Sequence, residues 1–347
     1  MPCVYPIGRT MLIKPVQLAW DEDLPIFARG SFLEKVGDEY GWLGGFSASG
    51  ELICVLPFTI VRKPFFRMAR FRVETIPVKG GYDRAGERQF LNGVIEYFRS
   101  IHVDLVVPAT TNTIFRAYPD KAAVAPYGSY IIDLSPPEET LWKNIDRIMR
   151  QNIKTAAKHG IIVREADSQV EASYELIKDT FHRSRLPFMS LASFKRFLSG
   201  LGDHGKILAA DYKGVPQSYV VFAYSRYGVF AIYAGNAVDQ YPGSNKLLYW
   251  EAIRSFKQLG VRQYDFVGSR INPEKGSKQE ALAQFKQRFG ATLKQGYMWK
   301  CPLHPIKYRL YGLIARLRSG GDIVDAERHK MNGFRLCDDG DNSSVVR

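Results

Sequence analysis

The sequence predicts an α/β (α+β) protein made of a duplicated unit, each copy a mixed twisted sheet with flanking helices. Three observations carry this reading. The segments 43–58 (LGGFSASGELICVLPF) and 207–222 (ILAADYKGVPQSYVVF) share one pattern, in which Gly50 answers Gly214 and Phe58 answers Phe222. Segments 90–107 and 247–267 share a second, with Phe98 answering Phe256, Ile101 answering Leu259 and Val103 answering Val261. Finally, 347 residues are more than one compact core ordinarily holds, which suggests about two domains.

The elements follow in order. Each of the first pair of segments reads as a β-hairpin whose turn glycine can take positive φ. Each of the second pair reads as an amphipathic helix feeding a buried strand. The separation of matched positions differs between the two pairs, so a few residues have been gained or lost. The junction falls near APYGSYIIDLSPPEE, where Tyr130–Leu134 form a strand. Ser135 then reads as a helix N-cap, with proline and acid in the first turn. The expected boundaries are 1–128 for the first domain, 129–302 for the second, and 303–347 for a basic amphipathic helix and polar tail.

From Leu141 to His159 the apolar residues Leu141, Ile145, Ile148, Ile153 and Ala156 keep helical spacing, and Gly160 is placed to end the helix. A second stripe of Lys143, Arg147, Arg150, Lys154 and Lys158 runs along the same segment. It reads either as a contact for RNA or nucleotide phosphates or as a solvated face. Downstream, IYAGN is a strand and Asp239–Lys246 a loop. A helix marked by Leu247, Leu248, Trp250, Ile253 and Phe256 follows. Pro242 and Gly243 stop the preceding segment, and Ser244 or Asn245 is positioned to cap this helix. Such a start offers free backbone N–H groups and a positive dipole end, so Gly243, Ser244, Asn245 and Lys246 are candidate ligands for a donor phosphate. YDFVG is a buried strand and AQFKQRFG a basic aromatic turn.

These segments resemble the Fem-type (FemAB-like) aminoacyltransferases, which have tandem GNAT-like domains. The likeness is carried by Arg150, Asn152, Ile153, Lys154, Ala156 and Gly160, by the YDF strand, and most specifically by Phe285-Lys286-Gln287-Arg288-Phe289-Gly290, where the family has Phe-Lys-x-x-Phe-Gly. It extends from about Tyr130 to Trp299 and is architectural before that. The acetyl-CoA pyrophosphate loop of GNAT enzymes is matched only at Gly243, and Fem-type proteins also lack that full pattern.

The resemblance implies an enzyme that moves an amino acid from aminoacyl-tRNA to an amine of a nucleotide- or lipid-linked peptidoglycan precursor, with no permanently bound cofactor. It implies a transfer role for Lys286 beside Phe285, and an acceptor-facing role for Tyr233. It also implies an arginine on substrate phosphate, either Arg183 or Arg185, and a basic position near the acceptor at Lys35. An activated ester chiefly needs alignment of the amine, oxyanion stabilisation and loss of one amine proton. Lys286 suits charge stabilisation, Asp265 or a substrate group is the candidate for removing the amine proton, and Asp265 otherwise orients the amine or holds backbone amides at a strand end. The alternatives are an acyl-CoA-dependent N-acyltransferase acting on an amino sugar or polyamine for surface polysaccharide, and a non-catalytic basic RNA- or membrane-binding module.

The formal charge of +13 favours a polyanionic partner or marks a basic enzyme without one. Cys3, Cys54, Cys301 and Cys337 are too scattered for a disulfide framework or zinc site, and the six histidines lack ligand spacing, so no metal is expected. No GxSxG, HExxH or complete phosphate loop occurs, PEKGSK lacking the required ending. The start lacks a signal-peptide pattern and no apolar run approaches a membrane span, which leads to the cytoplasm as the expected compartment. Near the end, Ile306, Leu310, Leu313, Ile314 and Leu317 share a helix face flanked by Lys307, Arg309, Arg316 and Arg318. That face suits either packing on the first domain or an anionic membrane surface at the inner side.

Overall fold

The computed structural model describes residues 11–78, 82–319 and 323–329. The first half comprises β1 (Leu12–Val16), α1 (Gly30–Val36), β2 (Glu39–Phe46), β3 (Leu52–Lys63), β4 (Phe66–Phe71) and β5 (Ile76–Pro77). It continues with α2 (Arg84–Ser100) and β6 (Leu105–Pro108). β7 (Ala123–Asp133) leads into α3 (Glu138–Asn144), α4 (Arg147–Lys158), β8 (Ile161–Glu165), α5 (Val170–Arg183) and α6 (Leu191–Leu201). Next come β9 (Gly205–Tyr212), β10 (Val215–Tyr224), β11 (Val229–Asn236), α7 (Ser244–Gln258) and β12 (Gln263–Asp265). The chain ends with α8 (Lys278–Arg288), β13 (Thr292–Pro302), α9 (Pro305–Ser319) and α10 (Ile323–His329).

The strands form one mixed sheet in the order β1-β2-β3-β4-β6-β13-β7-β12-β11-β10-β9-β8, with β5 pairing on β3. Read from either end, this order gives the same motif. In each half an antiparallel hairpin is followed by a third antiparallel strand, then by a parallel neighbour reached through a helix, and finally by an antiparallel closing strand. The closing strands cross over. β7 leaves the first half to flank β12, while β13 returns from the second half to flank β6, and the two pair along nearly their whole length. The expected boundary at 128/129 falls inside β7.

The duplication extends to hydrogen bonds. At the end of α2, Val103 N–H donates to the Phe98 carbonyl at 3.0 Å, and at the end of α7 Val261 N–H donates to that of Phe256 at 3.1 Å. Each helix closes through a left-handed residue, His102 (φ 57°) and Gly260 (φ 76°). This six-to-one closure satisfies terminal carbonyls that water would otherwise have to reach. The turn glycines Gly50 and Gly214 take φ of 80° and 78°.

Alternation along the strands makes two-sided cores. In the second half Leu208, Ala210, Val220 and Phe222 face α4 and α7, while Ile207, Ala209, Tyr219 and Val221 face α5 and α6. The first half buries Phe58, Phe90, Val94 and Phe98 between α2 and the sheet. A further cluster joins the halves, with Phe27, Phe32 and Val55 of the first meeting Phe197, Leu201 and Phe230 of the second. α1 lies against α6 in this seam.

Several local expectations are corrected. The helix expected from Leu141 to His159 is broken: Ile145 is extended, and the Asp146 carboxylate caps α4 by accepting from Ile148 and Met149 N–H. The break shifts the helical phase, so Met149 is buried and Ile148 is exposed. Ser135 does not cap α3; its hydroxyl donates to Asp133, and Pro137 holds the cap position. α9 packs on the first half through Tyr308 and Tyr311, the latter stacked on Phe66 at 4.6 Å, instead of through the aliphatic face. Ile306, Leu310 and Leu313 are 76%, 64% and 60% exposed. The side chains of Ile314, Arg316, Leu317 and Arg318, and the polar tail after 329, lie outside the described residues.

Candidate active site

β11 is the strand about which the second half opens. Its parallel pairing with β12 covers only Val229↔Tyr264 and Phe230↔Asp265. On its other side a bulge leaves Ile232 without a partner on β10, between Val221↔Tyr233 and Phe222↔Ala231. A bulge re-aims the side chain that follows it. Here that residue is Tyr233, which sits among Phe181, Phe188, Phe194 and Phe197 with ring centroids 5.3–6.3 Å away. Burial pushes its hydroxyl above the ordinary tyrosine value, while Arg72 and then Arg70 act in the opposite direction.

Across the opening, the chain turns sharply after β12. Asp265 is buried, accepting from the Ser129 hydroxyl and from Val267 N–H at 2.7 Å. The turn places Val267 at φ 49°. Lys286, on the last turn of α8, donates to the Val267 carbonyl and, at 2.8 Å, to the Gly268 carbonyl. An ammonium has three N–H donors, so one is left beyond these two carbonyls. Burial lowers the Lys286 pKa to about 8, against an opposing pull from Asp265. Desolvation likewise raises Asp265 to about 6, with the Ser129 and Val267 hydrogen bonds working the other way. Phe285 faces inward and joins Tyr249, Phe266 and Phe289, at 5.4, 6.4 and 5.2 Å, so α8 is fixed against α7 by aromatic packing.

The first half supplies the facing wall. Gly268 lies directly on Thr111. The neighbouring Asn112 donates to the Arg72 carbonyl at 3.0 Å. The Arg72 guanidinium lies over the rings of Phe32 (5.7 Å) and Phe197 (6.0 Å), and Phe197 also touches Tyr233. Lys286, Gly268, Thr111, Asn112, Arg72, Phe197 and Tyr233 therefore form one chain of contacts drawn from both halves. Arg70 and Arg72 are not singled out by the sequence patterns. Their signal was three arginines, Arg67, Arg70 and Arg72, in an otherwise aromatic and apolar segment, FFRMARFRV.

The other expected site residues are distributed as follows. Arg183 ends α5 and donates to Thr180 and to the Asn236 carbonyl at the end of β11. Arg185 is exposed at φ 54°. The loop carrying them is tied to α8 by the Lys278–Ser184 hydrogen bond. Lys35 lies in the last turn of α1, exposed at its tip, with its stem against α6 near Gly200.

Gly243, at φ 88°, is itself the N-cap of α7, in place of Ser244 or Asn245. Ser244 is fully buried with its hydroxyl donating to the Tyr241 carbonyl, which removes it from reach of a phosphate. α4 covers Gly243, where an added β-carbon would meet the Asn152 carbonyl at 2.9 Å. Asn245 and Lys246 are half-exposed, and burial followed by the Arg288 charge lowers the Lys246 pKa.

The basic stripe is also divided. Lys143 belongs to α3 and the rest to α4. Arg150 is occupied in capping α3, donating to the carbonyls of Trp142, Lys143 and Ile145. Lys154 lies over the Trp142 ring at 5.9 Å. Arg147 and Lys158 are exposed.

Among the described residues, no group of three or more His, Cys, Asp or Glu could hold a metal ion, and no helix is long and apolar enough to cross a membrane. Cys54 and Cys301 are buried free thiols.

A model of the FemAB family matches residues 119–213, the stretch holding Arg150 to Gly160. No match to the chain was found among curated proteins. Among solved structures, FemX is similar with a TM-score of 0.60 at 12% identity, over 83% of this chain and 93% of its own. So is the C-terminal domain of a protein described as a lysylphosphatidylglycerol synthetase from Agrobacterium fabrum, with a TM-score of 0.50 at 10% identity over 84% and 94%. Matched segment and shared architecture bear out the resemblance to the Fem type and the mixed α/β fold that it implies.

Proposed function

We propose that the chain transfers an aminoacyl group from aminoacyl-tRNA to an amine of a peptidoglycan precursor. The observation that supports this reading is Lys286: a largely buried ammonium held by two carbonyls of the turn after β12, with a third N–H that neither carbonyl takes. In the step, the acceptor amine nitrogen bonds to the ester carbonyl carbon, and the carbon–oxygen bond to the ribose breaks. The proton lost by the amine balances the one taken up by the ribose oxygen. The free Lys286 N–H stabilises charge developing on the carbonyl oxygen, in a site dry enough for that to count. Asp265 is a positioning residue, because its acceptors fix the turn whose carbonyls hold Lys286.

Tyr233 and Phe197 form the acceptor wall in this reading, with Arg183 and Arg185 above it and Lys35 at its rim. The family match favours aminoacyl-tRNA as donor. The cover of α4 over Gly243 and the burial of Ser244 disfavour a CoA pyrophosphate at the start of α7. The exposed face Ile306, Leu310 and Leu313, beside Arg309 and near the 91% exposed Phe65, suits contact with the inner surface of a membrane where a lipid-linked acceptor is met.

The test is incubation of the protein with labelled aminoacyl-tRNA, or with acetyl-CoA, in the presence of nucleotide-linked and lipid-linked peptidoglycan precursors. Transfer from aminoacyl-tRNA that Lys286→Ala abolishes without loss of fold supports the proposal. Consumption of acetyl-CoA alone favours the N-acyltransferase alternative. RNA or lipid binding without any transfer favours a non-catalytic module.

A further inference from the structure

Arg70 and Arg72 are cations beside the seam between the halves that no carboxylate answers among the described residues. Arg70 sits on β4 where it pairs with Val107, at the end of that short parallel ladder. One of its terminal nitrogens donates to the Ala109 carbonyl at 3.0 Å, and its Nε is buried without a partner. Arg72 follows β4, its guanidinium between Phe32 and Phe197 and its Nε likewise buried and unpartnered. Neither forms an ion pair among the described residues, whereas their neighbour Arg67 pairs with Glu39. The tyrosines whose charge acts on them are Tyr233 and, for Arg70, also Tyr311. Burial, and then the Arg70 charge, lower Arg72 to about 10.

Two like charges in a seam, Arg72 held between two rings and each arginine with a buried unpartnered Nε, are costly unless something completes them. A guanidinium edge is a planar fork matched to phosphate and carboxylate oxygens. Position adds to this. Arg72 shares Phe197 with Tyr233, and its backbone is tied through Asn112 and Thr111 to the Gly268 turn that holds Lys286.

We propose that Arg70 and Arg72 form an anion-binding subsite that receives a phosphoryl or carboxylate group of the acceptor, on the opposite wall from Lys286. Assigning the anion to the acceptor rests on the transferase reading, but the binding itself does not.

The experiment measures binding of inorganic pyrophosphate and of succinate to the full chain by calorimetry, with melting temperature recorded alongside. The proteins are wild type, Arg72→Met, Arg70→Gln and the exposed control Lys121→Gln. The subsite predicts saturable binding of one anion to wild type and control, weakened at least tenfold in both arginine variants. It also predicts an unchanged or raised melting temperature for Arg72→Met, because an unpaired buried charge is removed. A preference for pyrophosphate identifies a phosphoryl group, and one for succinate a carboxylate. Failure of both anions to bind wild type overturns the proposal, as does equal binding by wild type and the variants. If Arg72→Met does not fold, Arg70→Gln decides alone. Binding without aminoacyl transfer leaves the subsite standing and refutes the transferase reading, and transfer without anion binding does the reverse.

Discussion

Gly268 and Thr111 touch across the two halves so closely that a β-carbon on Gly268 would come within 2.5 Å of the Thr111 hydroxyl oxygen and 2.8 Å of its carbonyl. The contact joins the turn holding Lys286 to the loop holding Arg72, so two cations from distant parts of the sequence share one anchor. Gly268→Ala must push these loops apart. It is expected to lower unfolding free energy by about 1–3 kcal/mol and to cut transfer more than the stability loss explains. Thr111→Gly removes the side-chain part of the clash and leaves the carbonyl, so the double variant should recover part of the loss in chemical denaturation.

Lys286→Ala is expected to lower the turnover rate by roughly 10²–10³-fold, the usual effect of deleting one donor at a developing oxyanion. The working form is the ammonium, and its pKa is lowered to about 8. Activity should therefore decline as pH rises through about 8. Lys286→Arg keeps its charge across that range, so its pH–rate profile should lack the decline, whatever its absolute rate.

Asp265 is expected to position and not to exchange protons. Asp265→Asn keeps an oxygen to accept from Ser129 and Val267, so transfer should stay within about tenfold of wild type. The carboxyl is raised to about 6 when folded, so the folded state holds its proton more tightly than the unfolded chain. Its stabilising contribution is full below the unfolded value and is lost as pH rises through about 6. Compared by urea unfolding, the Asn variant should gain about 1 kcal/mol relative to wild type between pH 5 and pH 7.

Leu310→Glu should weaken binding to vesicles containing anionic phospholipid at least tenfold and leave the melting temperature within a degree or two, because this side chain is 64% exposed. Cosedimentation measures the first and a thermal scan the second. Equal binding by both proteins would remove α9 from any membrane contact.

What the sequence makes legible here is mostly local. The correspondence of Val103 with Val261 is visible because helix, closing turn and buried strand lie within about twenty residues of each other, and both copies keep that order. The turn of Gly50 and Gly214 is visible for the same reason. Helix phase is harder to read. A periodic apolar pattern alone does not reveal that Asp146 would cap a new helix and rotate Ile148 outward, because the period counts apolar positions and not the cap preference of an intervening aspartate. Burial on α9 follows Tyr308 and Tyr311 and not the more hydrophobic Ile306 and Leu310, because Phe66 offers an aromatic partner from a distant hairpin.

The candidate site divides along the same line. Lys286 and Tyr233 lie in segments whose order along the chain is recognisable. Arg72 acquires its setting only when the end of β4 comes beside Phe197 of α6, more than a hundred residues away in sequence. A basic residue in a strand carries no sign of whether an acid will meet it. Here Arg67 finds Glu39, and Arg72 finds two phenyl rings.

The exchange of closing strands has a consequence for inheritance. Because β7 and β13 each complete the sheet begun by the other half, truncating the gene at either repeat would strip a strand from both lobes at once. Mutational drift in one copy is thereby constrained by the other. The ancestral duplication, once its ends had interlocked, could diverge in chemistry along each wall but could no longer be separated into independent modules.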